Sequence, residues 1–74
     1  MREGLLWFDD DPRRRVEEKI EQAAARYRQK FGVAPDICYV NAKAIEKAEI
    51  LVGGVNVRRM PTVLPHHFWI GRTT

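Results

Sequence analysis

Three aspartates in a row, Asp9-Asp10-Asp11, directly follow the apolar run Gly4–Phe8 and are the first residues whose chemistry stands out. In open α/β sheets, ligands bind beyond the carboxyl ends of the strands. Asn41 follows a second apolar run, Ile37–Val40, so a parallel pair of strands would deliver it to the same end as Asp9 and Asp10. Carboxylate oxygens and an amide oxygen suit a hard cation such as Mg²⁺. A metal-dependent phosphoryl or hydrolytic site at Asp9–Asp11 is therefore one reading, with Asp9, Asp10 and Asn41 as its ligands. The plainer reading is a turn and a helix cap, since acids are favourable at a helix N-terminus.

Arg13, Arg14 and Arg15 come next. Cations in a first helical turn oppose the macrodipole, but the upstream aspartates and Glu17 and Glu18 can offset them. With Arg58 and Arg59 they form the candidate phosphate-contacting surface of a nucleic-acid-binding reading, in which Trp7, Tyr39 and Trp69 would stack on bases. The helix basics are spread around its circumference and interrupted by glutamates, and no nucleic-acid-binding motif is present. His66-His67 is the only histidine pair, and neighbours on a strand point to opposite faces, which disfavours a shared metal. Nucleophilic catalysis finds little support: there is no serine, the three threonines follow Pro61, and Cys38 sits inside an apolar run. Gly53-Gly54 lacks the Lys-Ser/Thr that completes a phosphate loop. No cofactor is implied.

Seventy-four residues suffice for a single domain, 1–74, with a small core. The one cysteine rules out a disulfide within the chain. The net charge of +3, thirteen basic residues against ten acidic, speaks first to solubility. No apolar stretch approaches a secretory leader or a membrane span of about 20 residues, so the cytoplasm is the default expectation.

The expected fold class is α+β: a small mixed sheet of three to four strands with one long helix on one face, ordered β-α-β-(short α)-β-β. Gly4–Phe8 and Ile37–Val40 read as strands buried on both sides. Between them Asp11-Pro12 reads as a helix start, and Val16, Ile20, Ala23, Ala24, Tyr27 and Phe31 form one apolar stripe ended by Gly32 and Pro35. A strand–helix–strand unit implies parallel strands, either adjacent or with another strand between them. Asn41–Glu49 suits one or two helical turns. Ile50–Val57 is a further strand, with Gly53-Gly54 a bulge, a tight turn or a close backbone approach. A last strand lies at Phe68–Ile70, with a start near Val63 and an interruption at Pro65 left open.

One helix covers one sheet face, yet both apolar strands project large side chains to both faces. The leading functional expectation is therefore a non-catalytic interaction module, self-associating as a homo-oligomer or docking to a protein partner. Trp7, Tyr39 and Trp69 are its expected anchors. The competing outcome is that the segment Arg58–Pro65 folds across the open face and closes the core within one chain.

Overall fold

The computed structural model describes residues 4–73. Strand β1 (Gly4–Phe8) leads to helix α1 (Val16–Phe31), and four strands follow: β2 (Ile37–Val40), β3 (Glu49–Val52), β4 (Val55–Arg59) and β5 (His67–Gly71). They form one five-stranded mixed sheet in the order β1-β5-β2-β4-β3. The α+β class stands, with five strands in place of three or four.

Both β1 and β2 pair antiparallel with β5, so they point the same way with β5 inserted between them. β4 runs parallel to β2, and β3 closes that side as an antiparallel edge. The expected strand Ile50–Val57 is in fact a hairpin. Gly53 and Gly54 have φ of 53° and 82°, and they join Val52 to its cross-strand partner Val55. A two-residue loop with positive φ at both positions is a type I′ turn, which glycine adopts without a Cβ penalty and which matches strand twist.

Helix α1 buries Ile20, Ala23 and Tyr27, with Val16, Ala24 and Phe31 half-buried beside them. The expected stripe is thus the stripe that packs. It covers Cys38, Val40, Val57, Phe68 and Ile70, which share the helix-facing side of the sheet. Tyr27 also stacks on Phe31, with ring centroids 4.5 Å apart. Gly32 ends the helix at φ 76°, its N–H donating to the Arg28 carbonyl.

Two local expectations are corrected. The helix begins at Val16, not at Pro12. Asp11 does accept the Arg13 N–H at 2.9 Å, but as a turn of its own upstream of the helix. Arg15 becomes the N-cap, and Glu18 reaches back to its N–H at 3.3 Å. A guanidinium has no acceptor, so only this half of a capping box exists.

The second correction concerns Asn41–Glu49, which holds no helix. Asn41 accepts the Lys43 N–H on its side-chain oxygen and the Ala44 N–H on its carbonyl, making a single turn. The remaining residues carry the chain past β4 to the edge strand β3, and a helix rising only 1.5 Å per residue would cover that span poorly. Ile45 drops into the core on the way.

Candidate functional site

Side chains alternate along a strand, so the sheet sorts its residues into two sets. Leu5, Trp7, Cys38, Val40, Val57, Phe68 and Ile70 belong to the helix side. Leu6 pairs with Trp69 across β1 and β5, and Trp69 pairs with Tyr39 across β5 and β2, so these three stand in a row on the other side. Phe8 and His67 form the next row, their rings 4.9 Å apart. Beyond β2 the same face is mixed: Asn56 and Arg58 on β4, Glu49 and the 69% exposed Leu51 on β3, with Arg58 donating to Glu49 at 2.8 Å.

No helix lies on this second face. Leu6 is 53% exposed, Phe8 54% and Trp69 38%. The segment Met60–Leu64 approaches without closing it. Met60 is anchored by its N–H to the Val40 carbonyl and Val63 is buried, but Leu64 stays 65% exposed. Between that segment and the sheet runs a groove of about 370 Å³, with Leu6, Met60, Val63, Leu64, His67 and Trp69 in its walls. The turn that leads from this segment into β5 is built by Pro65-His66. The His67 N–H donates to the Leu64 carbonyl across it, and His66 has φ 67°. Proline then a positive φ is the pattern of a type II turn.

Of the three expected anchors, Tyr39 and Trp69 lie on this face. Trp7 lies on the helix side at the sheet edge, beneath the Arg26 guanidinium, which sits 5.5 Å from its ring centroid. Its indole Nε1 is buried without a hydrogen-bond partner. Leu6 and Phe8, the immediate neighbours of Trp7 in β1, take the outward positions instead.

Of the three expected metal ligands, Asp9 and Asn41 are engaged by the chain itself. Asp9 is buried; one carboxylate oxygen accepts the Asp11 N–H at 3.0 Å and the other is paired with Arg14. Asp10 is exposed. Asn41 uses its oxygen on Lys43 and its amide on the Val63 carbonyl at 2.9 Å. Among the described residues no group of three or more His, Cys, Asp or Glu side chains is placed to hold a metal ion. Asp11 is held below its ordinary value of 3.8, first by the Arg13 side-chain hydrogen bond and then by the Arg13 N–H.

The arginines of the nucleic-acid reading are largely paired as well. Arg13 bonds Asp11, Arg14 bonds Asp9 and Gln22, Arg15 lies 3.8 Å from Glu18, and Arg58 bonds Glu49. Arg59 is exposed at the end of β4. Cys38 is fully buried, and burial pushes its thiol up to about 12, the behaviour of a small core side chain rather than a nucleophile.

A second concavity, of about 350 Å³, lies where β1 and β2 end and β5 begins; Lys19, Asn41, Lys43, His66 and His67 supply its polar wall. Lys19 was not among the residues the sequence pointed to, although its place three after Val16 and four before Ala23 sets a cation on the apolar stripe. Among the described residues no helix is long and apolar enough to cross a membrane. No protein-family model matches the chain, and no curated protein or solved structure matches it.

Proposed function

We propose that the chain is a non-catalytic interaction module that self-associates, two copies packing their helix-free sheet faces together. The observation that carries this reading is the row Leu6-Trp69-Tyr39, with Phe8 beside it and Leu64 above it, on a face that no helix covers and that Met60–Leu64 covers only in part.

Three features favour a second copy as the occupant. The apolar patch is centred on Trp69, on the second strand of five, with the Glu49–Arg58 pair at its border. An apolar centre with a polar rim is the common anatomy of an interface. Both charge signs in that rim make the face compatible with itself: across a two-fold axis, Arg58 of one copy can meet Glu49 of the other. The size also fits. Five strands about 4.8 Å apart and five residues at about 3.3 Å give a face of roughly 24 by 16 Å. Two such faces, with their flanking loops, bury on the order of 1,000 Å², near the lower bound for a specific interface. Two twisted sheets pack about 10 Å apart with aligned strands, which leaves room for interleaved aromatic rings.

Light scattering after size exclusion, across a concentration series, tests this. A dimer whose dissociation follows mass action is the expected result. A monomer at every concentration, giving no fluorescence with a dye that binds exposed apolar surface, would overturn both self-association and docking to any other protein.

A further inference from the structure

The concavity at the carboxyl ends of β1 and β2 has a feature that packing does not require. Lys19 retains only 9% of its surface, yet among the described residues its Nζ has a single acceptor, the Asp9 carbonyl oxygen at 3.3 Å. An ammonium offers three donors, and leaving it buried and short of acceptors is unfavourable. The nearby acids bond to other groups, and only Asp11 attracts Lys19, weakly and without a hydrogen bond. Asp9 is committed to Arg14 and to the Asp11 N–H, Asp11 is committed to Arg13, and Asp10 is exposed. Lys43 adds a second cation to the same wall. The N-terminus of α1 lies alongside, contributing Val16, and its dipole adds positive potential there.

The remaining wall is apolar: Val16, Ala44, Pro65 and Phe68. Its volume of about 350 Å³ lies within the range of small-ligand pockets. β1 and β2 point the same way on either side of antiparallel β5, and both end here.

The geometry points to a binding site for a small organic anion, a carboxylate or phosphate head on an apolar body, with Lys19 and Lys43 holding the head and Val16, Ala44 and Phe68 the body. Lys19 is the principal contact because its stem is packed and its Nζ is fixed by the Asp9 carbonyl, so an incoming oxyanion completes its set of acceptors with a charge-assisted hydrogen bond. Lys43, exposed to water, contributes less. The site does not depend on the sheet face pairing with a second copy, although His67 lines both concavities.

Two-dimensional amide NMR titrations of the full chain with phenyl phosphate, benzoate and inorganic phosphate test the assignment. Saturable shifts are expected at Lys43, Ala44, His66 and His67 with at least one aromatic probe, and the tighter of the two identifies the head group. Lys19→Met should weaken binding by about tenfold or more, and Lys43→Ala by about two- to threefold, as a charged hydrogen bond and a solvated charge imply. If Lys19→Met fails to fold, Ala44→Glu places a carboxylate at the lip and should abolish the shifts. Absence of saturation with all three probes overturns the site. So does unchanged affinity in folded Lys19→Met, or in Ala44→Glu. Inorganic phosphate binding as tightly as phenyl phosphate would remove the role given to the apolar wall.

Discussion

Replacing Trp69 with threonine removes the centre of the apolar face while keeping a β-branched residue in strand β5. Trp69 is 38% exposed, flanked by Leu6 on one strand and Tyr39 on the other. Taking a full aromatic surface of about 250 Å², the exposed part is roughly 95 Å². Burying it at about 25 cal/mol per Å² stabilises an interface by about 2.4 kcal/mol per copy, or about 5 kcal/mol for two. At 1.4 kcal/mol per tenfold, Trp69→Thr should weaken dimerisation by about a thousandfold or more. The fold itself should lose about 3–4 kcal/mol, because the remaining part of the Trp69 surface, roughly 155 Å², is already buried in the single chain. Sedimentation equilibrium from about 1 to 500 μM, with circular dichroism as a check on folding, separates the two effects. A folded Trp69→Thr that dimerises within about threefold of the unaltered chain would refute the assignment of Trp69 as the centre of the contact.

Three further outcomes are expected. At Gly54, φ is +82° and an added Cβ meets nothing within 4 Å, so Gly54→Val should cost backbone strain alone, about 1–2 kcal/mol in urea denaturation; Gly53→Asn should be nearly neutral, because Asn-Gly suits this turn, and equal losses at both positions would contradict the turn assignment. The Cys38 thiol, raised to about 12 by burial, should resist an aromatic disulfide reagent at pH 8 until the chain unfolds, and rapid labelling of the folded protein would contradict its burial. Asp11 titrates below 3.8 in the folded chain, so its contribution to stability is present above that pH and is lost as pH falls through the lowered folded value. Removing the largest cause with Arg13→Ala should move the carboxyl midpoint upward toward 3.8, measured by carbon-detected NMR, and an unmoved midpoint would count against the Arg13 contact.

What could be read from the linear chain was whatever depends on near neighbours. The spacing of Val16, Ile20, Ala23, Ala24, Tyr27 and Phe31 determines which side of α1 is buried, because 3.6 residues per turn bring those positions together regardless of what they meet. Gly32 determines where the helix stops, and the unbroken apolar runs determine β1 and β2. The excess of large apolar side chains over the area one helix can shelter was also legible, since alternation along a strand needs no partner to be counted. Local reading was weaker where two nearby rules competed. Asp11-Pro12 satisfied a turn before it satisfied a helix, and Asn41 used its own side chain to hold a turn where helical propensity suggested more. Gly53-Gly54 permitted three backbone outcomes, and the pairing of β3 with β4 selected one of them.

The tertiary structure alone decided everything that depends on non-local pairing. β5 inserts between β1 and β2, and that placement sets Leu6 and Trp69 side by side while Phe68 goes under the helix. Alternation puts Leu6 and Trp7 on opposite faces, but only the docking of α1 says which face is which; for that reason Trp7 is covered by Arg26 and its neighbours Leu6 and Phe8 are left outside. The same docking carries Lys19 against the Asp9 carbonyl, ten residues away, and turns an ordinary surface cation into a buried one. Periodicity is a property of a segment, whereas the identity of a face is a property of what packs on it.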